Sequence, residues 1–501
     1  MGKKLPILYN ALLLTGVNLL LRFVATSFQV HISARIGAAG VGLLQLVMSV
    51  GSLALTLGMA GVRTATMYLT AEELGKQRPQ NVHWVLRGCG IYSLLFSLGA
   101  AAILYGSAPL LATHWIGIAD TVPAIRCFAC FLPLTCLSGM MVGYFTAANR
   151  IGTLAAVEVG EQACYMAVTM SILLLWAGSD PHKACVAVIL GSGISTMLTL
   201  GCLVLLRRKE KASVGAPIPV GKRLRQAALP LALGDVTKAG INTTENLMVP
   251  KRLALYPAET APLATFGMVC GMVFPILMFP AAILFSLAEL LIPELARCNA
   301  AGSRQRIRYL VRRGLQAAML YGCLCGGLMY LLAEGLCLRI YQSREAGAQL
   351  ARYSLLVPML YCDAITDAMV KGLGQQKYSV RYNICTSAMD VAGLFLLLPR
   401  YGMDGYFISF ALTHLVNFLL SLGRLLKISK IRIPFYAPAF AISGTLAAVA
   451  GASCFQNAGS RTAAYLGLLC GLWVIFRVVT RRDLRWILGL VFPVKERSAA
   501  L

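Results

Sequence analysis

Runs of about twenty apolar residues recur along this chain, each long enough to cross roughly 30 Å of hydrocarbon as a helix, with short basic or Gly- and Pro-containing stretches between them. Fourteen such segments can be marked: 7–30, 41–69, 85–105, 122–145, 154–177, 184–206, 227–249, 263–291, 310–333, 350–370, 380–398, 406–426, 435–455 and 463–479. The pattern predicts an all-α integral membrane protein.

Two of these segments break the apolar rule in the same way. In the first, Thr15, Asn18, Arg22, Thr26 and Gln29 follow one another every three or four residues, which puts them on one helix face. A charge at the centre of a spanning helix costs roughly 3 kcal/mol on insertion scales, so Arg22 is expected to face a polar interior. In the seventh, Asp235, Lys238, Asn242 and Glu245 form a second polar face. The bland alternative is that these charges neutralise one another and join helices.

A shift of 217 residues superposes Arg35 on Arg252 and brings Arg22 within one residue of Lys238. A long Gly- and Met-containing segment follows each polar helix, with Gly51, Gly58 and Gly61 in one and Gly267, Gly271, Pro275 and Pro280 in the other. A second echo pairs the segment bearing Glu158 and Glu161 with the one bearing Asn383 and Asp390. We therefore expect two six-helix lobes, 1–206 and 227–430, joined by a cytoplasmic linker at 207–226. Two more helices and a basic tail occupy 431–501. Repeats of this kind, with a polar site where they meet, are the plan of alternating-access carriers.

Composition agrees with a membrane protein and changes one inference. Of the 501 residues 58% are hydrophobic and 13% charged, with a mean hydropathy of +0.72. The formal charge of +25 resembles a nucleic-acid signal. Its Lys and Arg, however, cluster between apolar segments, at 76–87, 207–225, 297–313, 371–381, 424–432 and beyond Arg477. The positive-inside rule accounts for them, with both termini in the cytoplasm of a multi-pass cell-membrane protein and no nucleic-acid partner. The 16 cysteines are scattered and define no disulfide framework or zinc site. No Walker loop, GxSxG elbow or HExxH helix occurs, and no loop is long enough for an exterior catalytic domain, so an enzyme is not expected.

The run from Arg35 to Gln45, then 57–61, Ala71-Glu72, Glu161-Gln162, Pro230, 249–253, 291–293 and 371–374 resembles the polysaccharide and lipid-linked oligosaccharide exporters of the MATE-like superfamily. The sequence is most similar there to the stage V sporulation protein B group, which is related to lipid II flippases. Order and spacing of the motifs carry the resemblance. One departure is that Phe28 and Gln29 stand where related flippases usually have a second Arg in the first helix.

The resemblance implies movement of an undecaprenyl-diphosphate-linked sugar or peptidoglycan precursor to the outer leaflet, in cell-wall or spore-cortex synthesis. A diphosphate leaving water needs charge-assisted hydrogen bonds. Arg22 and Lys238 are the leading candidates, with Asn18, Asn242 and Glu245 on the same faces. Arg35 and Arg252 either hold the headgroup at release or anchor helix ends. Arg63 either serves the cytoplasmic mouth or pairs with Glu72 or Glu73. Asp235, Asn383 and Asp390, with Glu161, are candidates for ion coupling through Na⁺ or H⁺, since related flippases place a cation site between the seventh and eleventh helices. No other cofactor is expected. Expected partners are the lipid-linked sugar, membrane lipid and cell-wall synthesis enzymes. A multidrug or organic-cation antiporter of the same superfamily, or a non-transporting scaffold, are the alternatives.

Overall fold

A computed structural model describes residues 4–178, 180–208, 219–431, 436–455 and 457–475; the side chains of Asn18 and Arg22, residues 209–218 of the 207–226 linker and the tail beyond 475 lie outside the described residues. Every regular element among the described residues is helical. In order these are α1 (Lys4–Met59), α2 (Val62–Gly75), α3 (Val82–Leu110), α4 (Val122–Ala147), α5 (Ile151–Ile172), α6 (Pro181–Arg208) and α7 (Gly221–Leu253). There follow α8 (Pro262–Met268), α9 (Phe274–Met278), α10 (Ala281–Ala300), α11 (Arg304–Tyr341), α12 (Arg344–Ser354) and α13 (Val357–Gly372). The last four are α14 (Gln376–Tyr401), α15 (Met403–Ser429), α16 (Tyr436–Ser453) and α17 (Ala458–Ile475).

Among the described residues nine helices are long and apolar enough to cross a membrane, and ten if Pro262–Met278 and Ala281–Ala288, bent by 62°, form one span. The chain is thus a multi-pass membrane protein. Segments outside this count have physical reasons. α7 is 33 residues long but carries the Asp235, Lys238, Asn242 and Glu245 face. The predicted segment 350–370 is interrupted between α12 and α13.

The first two predicted segments run together through α1, whose one interruption is Gly37 at φ 72° and ψ 174°. A left-handed φ costs glycine little and other residues more, so a single residue redirects the helix where a loop was expected. The second break comes at Gly61, φ 72°, where an added Cβ would stand 2.5 Å from the Ala228 carbonyl oxygen.

The chain divides into two compact units, one comprising residues up to Ala282 with Ile384–Thr413, the other Ile283–Asn383 with the residues from His414 onward. In the first unit, α1 and α8 meet backbone to backbone. A Cβ on Gly267 would lie 2.0 Å from Ala38 O and 2.4 Å from Gly42 N, and one on Gly42 would lie 2.3 Å from Leu263 O. Such close approach is what small residues permit between membrane helices. Val62, Leu69, Val85, Phe145, Leu203 and Leu224 build a core between α2, α3, α4, α6 and α7. In the second unit, α16 and α17 close on α11 through Ala441, Ala448, Leu469 and Tyr465. The Tyr465 hydroxyl donates to Cys323 O at 2.9 Å, which satisfies its one buried polar atom.

Candidate functional site

A polar group in the first unit gathers on α7, α14 and α15. Asp390 on α14 is 8% exposed. Ser409 Oγ donates to its Oδ1 at 2.6 Å, and Thr413 Oγ1 lies 3.3 Å from the same oxygen. Ser409 and Thr413 are four residues apart and share a face of α15. The Thr413 hydroxyl has only one proton, and it lies closer to the Ser409 carbonyl, at 2.9 Å. Ser409 is therefore the principal donor to the carboxyl, and Thr413 a weaker one.

From α7, the Glu245 carboxyl comes within hydrogen-bonding reach of Asp390. Two carboxyls in contact form a stable pair only when a proton or a cation lies between them. Gly393, one turn after Asp390, makes the arrangement fit: a Cβ there would stand 2.5 Å from Ser409 Oγ. Cys270 Sγ and Tyr406 Oη, 3.9 Å apart, flank the group. The group offers two carboxyls and two hydroxyls, which suits a hard cation or a proton.

α7 fixes Glu245 by packing its other polar side on α1. Thr243 Oγ1 donates to Ser49 O at 3.0 Å, and Asn246 Nδ2 donates to Ser49 Oγ at 3.0 Å. Thr243 and Asn246 thus hold α7 against α1, which leaves the neighbouring face to Asp235, Lys238 and Asn242, all exposed on this unit.

The remaining sequence candidates fall in separate places. Asp235 lies ten residues before Glu245, about 15 Å along the helix, and Asp390 takes its contacts from Glu245, Ser409 and Thr413 instead. Asn383 donates to the Ser379 carbonyl of its own helix at 2.9 Å. Glu161 on α5 accepts from Thr196 Oγ1 on α6 at 3.2 Å, and Arg63 on α2 is a charge neighbour of Glu158. Glu72 and Glu73 are taken by Arg223, at 2.8 Å each, and not by Arg63.

Arg252 donates through Nε and Nη2 to Phe395 O at 3.2 and 2.7 Å, and its guanidinium stacks 3.6 Å from the Phe395 ring centre. It ties α7 to α14. Arg35 is half-buried just before the Gly37 break. Sequence reasoning missed Ser409 and Thr413, although their four-residue spacing in an apolar helix was visible.

This architecture, a multi-pass helical membrane protein with paired carboxyls among its helices, has the fold of MATE-type and lipid-flippase transporters. Over 95% of this chain and 100% of the other, it matches the lipid II flippase MurJ in an inward closed conformation, with a TM-score of 0.66 and 12% identity. It also matches an inward-facing multidrug resistance MATE family transporter of the MOP superfamily, over 84% of this chain and 100% of that one, with a TM-score of 0.64 and 14% identity. Among sequences, it is similar to stage V sporulation protein B of Bacillus subtilis (strain 168), 22% identical over 512 residues, covering 97% of this chain and 98% of the relative. No family model matches the chain.

Proposed function

We infer that this protein is an alternating-access carrier that moves a lipid-linked, diphosphate-bearing sugar, such as a peptidoglycan precursor on undecaprenol, from the cytoplasmic to the outer leaflet. The observation that carries this reading is the α7 face, where Asp235, Lys238 and Asn242 stay exposed on a helix of a membrane protein. Fixed charges within the helices of a membrane protein are retained for a ligand or an ion path. Lys238, with Arg22 from α1, supplies the positive charge that a diphosphate requires on leaving water. The resemblance to stage V sporulation protein B and the fold shared with a lipid II flippase favour a lipid-linked substrate in cell-wall or spore-cortex synthesis.

The group formed by Glu245, Asp390, Ser409 and Thr413 is the coupling site, taking Na⁺ or H⁺. Cation release there frees a carboxyl pair that cannot stay together unneutralised, which biases α7 against α14 and α15 and so links the ion to the substrate-bearing helix. The six-helix lobes 1–206 and 227–430 are the moving parts in this reading. No step requires covalent chemistry.

Reconstituted protein should translocate fluorescent diphosphate-linked polyprenyl sugars and leave cationic dyes where they are. Lys238→Ala should slow translocation at least tenfold without loss of insertion. Dye transport that continues while the lipid-linked sugar stays in place would reject the flippase reading in favour of an organic-cation antiporter.

A further inference from the structure

The second compact unit holds an ionisable group that neither the lipid-linked substrate nor the Asp390 site uses. Asp363, in the middle of α13, is 9% exposed. Asn417 on α15 donates its one NH₂ to both carboxyl oxygens, at 3.0 Å to Oδ1 and 3.1 Å to Oδ2. His414, three residues earlier on α15, places Nδ1 3.9 Å from Oδ2. Among the described residues no Lys or Arg pairs with Asp363, so His414 is its one partner able to carry positive charge.

Two more atoms lie buried behind this contact. Asn417 Oδ1 and Ser421 Oγ have no hydrogen-bond partner, and their residues are 7% and 1% exposed. Leaving a polar atom buried and unsatisfied costs about 1–3 kcal/mol, and Asn417 carries one while its amide holds the Asp363 carboxyl. His414, Asn417 and Ser421 are spaced three and four apart, forming one face of α15 turned to α13. The His414 side chain is 38% exposed, against 12% for Asp363, so the imidazole reaches from the buried carboxyl toward the medium.

We propose that Asp363 and His414 form a proton-binding site in this unit, with Asn417 as its positioning residue. The proton moves between His414 Nδ1 and Asp363 Oδ2, so each transfer interconverts an imidazolium–carboxylate pair and a neutral imidazole with a carboxylic acid. A small side-chain rotation or one bridging water closes the 3.9 Å gap. Both states carry the same net charge; a proton leaving from the imidazole edge takes the pair to a net negative charge. That change, in a low-dielectric interior, is large enough to alter how α13 and α15 pack.

The surrounding groups leave the assignment to this pair. Cys362 lies beside Asp363 on α13, and Tyr321, Cys323 and Cys325 come from α11; none of these carries positive charge. Asp367, one turn along α13, is already paired with Lys371 at 2.6 Å. Arg424 on α15 is engaged with Gln375 Oε1 at 2.5 Å and stacks on Tyr378.

The test uses the full chain in nanodiscs of zwitterionic lipid, without substrate, and counts protons taken up on acidification from mildly alkaline to mildly acidic pH with an indicator dye. His414→Gln should lose about one proton per chain over this range, Asp363→Asn should move that uptake to lower pH, and the double variant should lose no more than His414→Gln alone, as a shared proton requires. Glu245→Gln and Asp390→Asn should leave this proton in place, so a failure of the coupling site in the first unit reads out separately. If Asp363→Asn does not fold, Asp363→Glu, which retains the carboxyl, should keep the proton and His414→Gln should still lose it. Full proton uptake in His414→Gln, uptake at an unchanged pH in Asp363→Asn, or a further loss in the double variant would overturn the proposal.

Discussion

Replacing Gly393 by Ala places a single methyl group in the contact that aims Ser409 at Asp390. A Cβ at position 393 would stand 2.5 Å from Ser409 Oγ but 3.4 Å from Ser409 Cβ. The first distance cannot persist, whereas the second is ordinary contact. Ser409 relieves the overlap by rotating, and it then gives up its 2.6 Å hydrogen bond to Asp390 Oδ1. A hydrogen bond to a carboxylate contributes about 1.5–3 kcal/mol, so Gly393→Ala should destabilise the protein by about 2 kcal/mol. With Ser409 Oγ withdrawn from the oxygen set, the coupling cation should bind more than about tenfold more weakly, at about 1.4 kcal/mol per decade. Ser409→Ala removes the same bond by another route and also removes the atom that clashes. The double variant should therefore resemble Ser409→Ala, with a coupling energy of about 2 kcal/mol instead of additive losses. Thermal unfolding in detergent and the cation dependence of translocation in proteoliposomes give both readings. Additive effects of the two substitutions, or a Gly393→Ala protein indistinguishable from the wild type, would refute the argument.

Other substitutions separate packing from function. Gly267→Ala drives a Cβ into main-chain atoms of α1 at 2.0 and 2.4 Å, which cannot rotate away; the yield of monodisperse protein should collapse, a loss of about 3 kcal/mol. Gly240→Ala meets nothing within 4 Å and should be neutral or stabilising by about 0.5 kcal/mol in the same assay. Arg223→Ala leaves Glu73, 3% exposed, with Asn81 as its one remaining hydrogen-bond partner among the described residues, and should lower stability by about 1–2 kcal/mol, visible as an earlier unfolding transition. Arg252→Ala should cost stability by a similar amount, about 1–2 kcal/mol, while leaving the half-saturating concentration of lipid-linked substrate unchanged. A raised half-saturation would restore Arg252 to the headgroup site.

Much of this was legible in the residue order because membrane helices announce themselves locally. The apolar runs, the polar stripe on α7 and the glycine-rich segments after the two charged helices need no knowledge of distant parts of the chain. What the order of residues hides is which charges meet. Glu245 and Asp390 lie on different helices far apart in the chain, and Asp235 offers the same carboxyl on the same face two to three turns earlier. Choosing between them requires the axial position of α14 against α7, where Arg252 bonds the Phe395 carbonyl, while Thr243 and Asn246 hold α7 on α1. Arg63 illustrates the same limit: Glu72 and Glu73 are near in sequence, yet Arg223, 150 residues away, claims them. Ser409 and Thr413 escaped notice because hydroxyls in membrane helices usually bond back to their own backbone, and Thr413 does so as well.

The glycine crossing of α1 and α8 has a mechanical consequence. Where two main chains touch with no side chains between them, no rotamers can absorb a displacement, so the joint is stiff against approach and smooth against rotation. In this protein that joint lies at Gly42 and Gly267.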